Sequence, residues 1–320
     1  MSAVSAQEAL ASKGHEVIPV GIDRTGGWHL ADPANRPLAA EGPTVTLEMP
    51  GGRLLTPQRA RQIDVAFPVL HGPYGEDGTI QGMFEMAGVP YVGAGVVGSA
   101  IGMEKDVSKR LCREAGIPIG DYRAVRAREW ADEPGAIAAD IGDDLGFPSF
   151  VKPAALGSSV GIARATDEGT LKDAIDDAFG HGGKVLVEAA VSGREIEVAV
   201  LEGPRASVPG EIVVHGGPGW YDYDAKYRDD ATELIVPAPL SDEAADEVRS
   251  LALRAFDVLE CSGLARVDFF YDEGGAGFLL NEINTMPGFT PKSMFPMLWA
   301  ATGLPYADLC DELVGLAVSR

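Results

Sequence analysis

The chain has 320 residues, 46% hydrophobic and 23% charged, with 40 glycines, 22 prolines and three cysteines, which excludes disordered, collagen-like and disulfide-stapled classes. Lys plus Arg number 26 and Asp plus Glu 48, a net charge of −22. Such a surface repels nucleic-acid backbones and anionic lipid headgroups, so neither is expected as a partner, yet lysines gathered in one cleft can still capture a small anion.

At roughly 100 to 200 residues per domain, the length predicts two or three domains. Cys112, Cys261 and Cys310 lie far apart without a Cys-x-x-Cys pair, and read as reduced core thiols rather than a disulfide frame or zinc site. Residues 1–17 show no basic stretch followed by an apolar run, so no secretory signal is expected and the protein is expected in the cytoplasm. Residues 86–103 are uncharged and long enough for a membrane span, but Pro90 and five glycines make them an expected buried loop.

In chain order, residues 5–13 read as a helix ended by Gly14, residues 17–22 and 63–70 as apolar strands, and residues 79–87 as a second helix. That alternation predicts a parallel sheet with right-handed crossovers, although it opens on a helix. A helix over 104–114, stopped by Gly116 and Pro118, precedes strands at 122–125 and 147–152 and a helix at 171–179. Residues 185–187 read as a buried strand and 195–201 as a strand with one half-exposed face. Residues 215–237, with three tyrosines and no sustained period, read as a long functional loop. A helix at 242–259, strands at 265–271 and 278–283, and a closing helix at 306–318 complete the chain.

Three clusters carry chemistry. Gly93, Gly95 and Gly98 form a Gly-x-Gly-x-x-Gly, but the broken run before it makes a plain glycine-rich loop the expectation, and no P-loop is present. Phosphate handling falls instead to Lys152 and the loop Gly157-Ser158-Ser159-Val160-Gly161, whose glycines let backbone N–H groups approach phosphate oxygens; an ordinary turn is the competing reading. Arg266 with Asp268, and Glu282 with Asn284, each share one strand face by period-two spacing. Two carboxylates and an amide oxygen between apolar strands suit Mg²⁺ better than a solvated polar face. His71 to Gly78 stands where an apolar strand gives way to a helix, the usual ligand end of an α/β sheet.

Taken together, His71 to Gly78, Glu104-Lys105, Lys152-Pro153, Gly157 to Gly161, Tyr221 to Tyr227 and Asn281 to Thr290 resemble the D-alanine:D-alanine ligase family of ATP-grasp enzymes, in the family's order and approximate spacing over nearly the whole chain. The resemblance implies an α/β ATP-grasp fold: an N-terminal Rossmann-like domain over 1–96, a small subdomain over 97–187 and a large C-terminal subdomain over 188–320, with ATP sandwiched between the last two. It implies that Lys105, Lys152 and Ser159 hold the ATP phosphates, that Glu188 and Val191 flank adenine, and that Glu195 accepts from the ribose. Asp268, Glu282 and Asn284 match ligands for two Mg²⁺ or Mn²⁺ ions. Arg266 and the Gly288 N–H match oxyanion donors, Ser158 and Tyr227 the groups that close the lid and orient the amine. His71 would lie near a first D-alanine, while Lys226, Ser293 and Met294 would hold the second.

The implied product is D-alanyl-D-alanine for peptidoglycan, made by a homodimer. Transfer to D-lactate, or nucleotide binding without catalysis, are the alternatives. The family opens with a strand and a Gly-Gly-x-Ser-x-Glu-His-x-Val-Ser stretch, and Met1-Ser2 falls where its Val-Ser stands. The expectation is therefore that the natural product begins roughly 20 to 30 residues earlier, the length of a strand, a turn and the start of a helix.

Overall fold

In the computed structural model, which describes residues 1–157, 161–215 and 232–320, the chain opens with helix α1 (Ser2–Ser12) and two small antiparallel units. These are the hairpin β1 (Val20–Ile22) with β2 (Trp28–Leu30), and the meander β3 (Thr46–Leu47), β4 (Arg53–Leu55), β5 (Ala60–Gln62). Helices α2 (Thr79–Ala87), α3 (Val96–Met103) and α4 (Lys105–Glu114) follow. Helix α2 stops at Gly88, whose left-handed backbone caps it.

The middle of the chain alternates β6 (Tyr122–Arg126), α5 (Ala127–Asp132), α6 (Pro134–Leu145), β7 (Ser149–Pro153), β8 (Ala163–Ala165), α7 (Glu168–Phe179) and β9 (Lys184–Ala189). Its strands form one antiparallel sheet in the order β6-β9-β7-β8. Helix α7 starts where the Asp167 side chain accepts from the Thr170 N–H at 2.8 Å, and it packs Leu171, Ile175 and Ala178 against that sheet's apolar face.

The last part contains β10 (Arg194–Leu201), β11 (Arg205–Ala206), β12 (Gly210–Val214), β13 (Thr232–Ile235), α8 (Asp242–Val258), β14 (Leu264–Asp272), β15 (Gly277–Asn284), α9 (Met294–Ala301) and α10 (Tyr306–Val318). The second antiparallel sheet runs β13-β12-β10-β14-β15, with β11 also on β10. Its central strand β10 is buried from Ile196 to Leu201 rather than half-exposed as its glutamates suggested. Ile196, Val198 and Val200 join the core under α8, while Ala199 and Leu201 face the core built by α9 and α10.

Several expectations need correction. Residues 63–70 are not a strand: among the described residues their one β-bridge is the isolated parallel pair Ala66↔Tyr91, and of 17–22 only Val20–Ile22 pairs. An apolar run becomes a strand only where a neighbouring ladder takes its backbone N–H and C=O groups. Here both runs, with Ala3, Ala6 and Leu10 of α1, line a cavity of about 540 Å³ instead. The expected parallel sheet is thus replaced by antiparallel ladders. The expected buried loop at 86–103 contains helix α3, because its glycines let the helix sit close. A Cβ at Gly98 would lie 2.3 Å from the Glu260 carbonyl oxygen, and one at Gly102 3.1 Å from Thr285. Helices α5, α6 and α9 had no expectation. The long loop is shorter than read, since β12 and β13 pair up to Val214↔Thr232. Cys112 and Cys310 are core thiols as expected, whereas Cys261, just after α8, is only partly buried; no helix among the described residues is long and apolar enough to cross a membrane.

Phe278 on β15 is 1% exposed and stacks on Tyr271 with ring centroids 4.1 Å apart. Phe278→Ala should lower the unfolding free energy by about 3–5 kcal/mol, read as an earlier denaturant midpoint with unchanged m value.

Candidate active site

The site grows out of the β14–β15 ladder. Arg266 opposes Asn284 and Asp268 opposes Glu282, with a register shift directly after Asp268. Opposed residues share a face, so these four polar side chains stand together while Val267 and Ile283 point into the core under α8. A solvated polar face is ruled out: Asp268 is buried, and its two oxygens accept from Arg266 Nε and Nη2 at 2.7 Å each. Asn284 Nδ2 donates to Asp268 Oδ2 at 2.9 Å, and Arg266 Nε also lies 3.0 Å from Glu197 Oε2 on β10. Burial works against the Arg266 charge, but Asp268 and Glu197 more than offset it and hold the guanidinium well above its usual range.

The opposite wall carries lysines. Lys105, at the start of α4, donates to the Leu156 carbonyl at 2.7 Å and stands 3.4 Å from Glu282 Oε2. Its backbone N–H bonds the Ala154 carbonyl at 2.9 Å, tying α4 to the end of β7. Lys152 on β7 donates to Asn281 Oδ1 at 3.3 Å and pairs with Glu188 Oε2 on β9. Glu188 is also 3.0 Å from Lys109. Burial raises the Glu188 carboxyl, but the two ammonium groups win and hold it at about 2. Glu195 is half-buried on β10, and Val191, in the turn between β9 and β10, packs near Gly120.

The third wall is the segment after β15. His71 Nδ1 lies 2.9 Å from the Met286 carbonyl oxygen, and the Met286 N–H donates to Glu76 Oε1 at 3.2 Å. Burial pushes the Glu76 carboxyl up, against the lowering pull of the Gly72 N–H. A Cβ at Gly288 would meet Ser293 Oγ at 3.2 Å, and that hydroxyl accepts from the Thr290 N–H at 3.1 Å. Met294 is 4% exposed in the core of α9 and α10, so its side chain faces away from the cleft and only its backbone can serve a substrate. Gly95 and Gly98 seat α3, while Gly93 lies behind the third wall, where a Cβ would be 3.5 Å from Met286 Cε. Ser158, Ser159, Lys226 and Tyr227 lie outside the described residues.

Residues 1–94 match the model of the D-ala D-ala ligase N-terminus, and residues 111–315 that of the D-ala D-ala ligase C-terminus. The chain belongs to the D-ala D-ala ligase family. It is 49% identical over 331 residues to a D-alanine--D-alanine ligase of Pseudarthrobacter chlorophenolicus, covering 96% of this chain and 86% of the relative. It is 47% identical to that of Paenarthrobacter aurescens, covering 100% and 91%. Among solved structures, the D-alanine-D-alanine ligase from Coxiella burnetii superposes with a TM-score of 0.86 at 34% identity, covering 100% of this chain and 90% of that one. A D-Ala:D-Ser ligase from Enterococcus faecalis does so with 0.86 at 32%, covering 99% and 94%.

Within the family frame, the ATP-grasp fold is the one expected, and the structure adds three ionisable groups that the motif reading left out. Glu76 sat inside the quoted His71 to Gly78 stretch without a role. Glu197 could have been found two residues after Glu195, and Lys109 one helical turn after Lys105, on the same faces.

The Glu188 contribution has a pH signature. A carboxyl depressed from 4.5 to about 2 stabilises the fold fully above pH 4.5 and loses that contribution as pH falls through about 2. Glu188→Gln should destabilise by about 3–5 kcal/mol at pH 7, with the gap to wild type narrower at pH 3 in urea titrations.

Proposed function

We propose that this chain uses ATP to join two D-alanines into D-alanyl-D-alanine through a D-alanyl phosphate, supplying peptidoglycan precursors. The observation that carries the reading is the register that gathers Arg266, Asp268, Glu282 and Asn284 on one face, with Lys105 3.4 Å from Glu282. Division into units 1–96, 97–187 and 188–320 is supported by the two separate sheets, with nucleotide between them.

In this reading Lys105 and Lys152 neutralise phosphate oxygens, the Ser158 and Ser159 loop closes over them, Glu188 and Val191 flank adenine, and Glu195 accepts from the ribose. His71 lies beside the first D-alanine, whose carboxylate oxygen attacks the γ-phosphorus; the bond to the bridging oxygen breaks, leaving ADP and the acyl phosphate. The amine of the second D-alanine, held by Lys226, Ser293 and the Met294 backbone and oriented by Tyr227, attacks the acyl carbon. Arg266 and the Gly288 N–H donate to the tetrahedral oxyanion, and phosphate leaves.

Asp268, Glu282 and Asn284 would hold two Mg²⁺ or Mn²⁺ ions. Among the described residues no three His, Cys, Asp or Glu cluster as a metal site, but two carboxylates and an amide oxygen converging on one strand pair fit a hard divalent cation whose remaining ligands come from phosphate and water. When bound, such ions neutralise charge spreading over the transferred phosphoryl group. A homodimer is supported by exposed Met86, Val96 and Val97 on α2 and α3, and a cytoplasmic place by the reduced cysteines and the ATP requirement.

Incubation with ATP and D-alanine should release ADP and yield the dipeptide; binding of ATP without ADP release would favour a non-catalytic role. Glu282→Ala should cut ADP release on the order of 10²–10³-fold while the nucleotide-free melting temperature moves by less than about 4 °C. With D-alanine and D-lactate competing at neutral pH, the dipeptide should predominate, and a predominant depsipeptide would assign D-lactate as acceptor.

A further inference from the structure

Lys109 on α4 is 3% exposed, and the reaction gives it no task. Its Nζ lies 3.0 Å from Glu188 Oε1 and 5.7 Å from the centroid of the Tyr122 ring. Tyr122 opposes Glu188 across the β6–β9 ladder and carries Arg113 at 5.0 Å. Lys109 is therefore enclosed behind Glu188, where it cannot follow a ligand in the cleft. Lys152, the other cation on Glu188, is shared with Asn281 and, in the proposed function, with the phosphates. A buried carboxylate whose only cation turns to another anion is strongly disfavoured. A fixed second cation removes that conflict.

We infer that Lys109 is a positioning residue that holds the Glu188 carboxylate in place as acceptor for the exocyclic amine of a 6-aminopurine, and so sets the choice of base. The inference rests on the assignment of Glu188 to adenine. An ionised carboxylate only accepts hydrogen bonds; a 6-aminopurine donates there, whereas a 6-oxopurine presents a second acceptor and is repelled. Lys109 touches neither base nor phosphate in this scheme. It keeps Glu188 charged and aimed while Lys152 engages the polyphosphate.

The test uses the full chain and calorimetric binding of ADP and IDP. Wild type should prefer ADP. Lys109→Gln should weaken ADP roughly tenfold and leave IDP within about twofold, the worth of one charge-assisted hydrogen bond, while Lys109→Arg keeps most of the preference. Glu188→Gln should lose the preference as well, and adding Lys109→Met to it should change the ADP:IDP ratio no further, because Lys109 acts through Glu188. That neutral pair also supplies a folded comparison should Lys109→Gln alone not fold. A Lys109→Gln variant with the wild-type ratio, while Glu188→Gln has lost it, overturns the inference. So does a ratio that changes again when Lys109→Met is added to Glu188→Gln. A wild-type ratio in Glu188→Gln alone is a different failure, and overturns the adenine assignment beneath it.

Discussion

The ladder between β14 and β15 fixes the acidic wall on which the rest of the site is arranged. Period two in a strand means that a slip of one residue would send Asp268 and Glu282 into the core under α8 and bring Val267 and Ile283 to the cleft. The core prevents that slip, since Ala265, Val267, Phe269, Phe278 and Ile283 all fill it. The register shift after Asp268 lets the polar half and the aromatic half of the same two strands each keep the face they need. Hydrophobic burial thus sets the position of the charges, and the charges themselves contribute little to holding the strands.

Within that frame, ionic partners are arranged so that each of the four cations named among the described residues already has a carboxylate. Lys105 stands by Glu282, Lys152 and Lys109 by Glu188, and Arg266 between Asp268 and Glu197. Side chains held this way have little freedom left to lose to a ligand, and the work of orienting dipoles is done during folding. In a chain of net charge −22 these cations are balanced by the acids they pair with, so what the site offers a ligand is their fixed placement on α4, β7 and β14.

How much of this was legible in the sequence depends on whether the signal is local. Arg266, Asp268, Glu282 and Asn284 could be found because polar residues at period two interrupt otherwise apolar strands. Which residue faces which could not, since register and the shift after Asp268 are set by packing across two sheets. Helix α4 was readable from its Gly116 and Pro118 stop, whereas residues 63–70 are a largely apolar run and still form no ladder, because pairing belongs to the neighbours. Glycine-rich α3 looked like a loop for the converse reason: its glycines serve close approach to Glu260 and Thr285, which no single-sequence propensity contains. Lys109 was passed over because a lysine reads as surface until its enclosure is seen.

The segment after β15 is stitched to parts of the chain far apart in sequence. Met286 exchanges hydrogen bonds with His71 and Glu76, the Phe289 N–H reaches Ser2 Oγ at 3.4 Å, and the Phe289 carbonyl accepts from Tyr306 at 2.8 Å. The shape of this segment therefore is not the property of the C-terminal half that encodes it. In a chimera that exchanged the first hundred residues for those of a relative, the loop would take its shape from the incoming pair at positions 71 and 76, and Ala6, Leu10 and Val92 of the incoming segment would have to fit the core that α9 and α10 build. The two halves can diverge freely on their surfaces, but at this seam they are bound to change together.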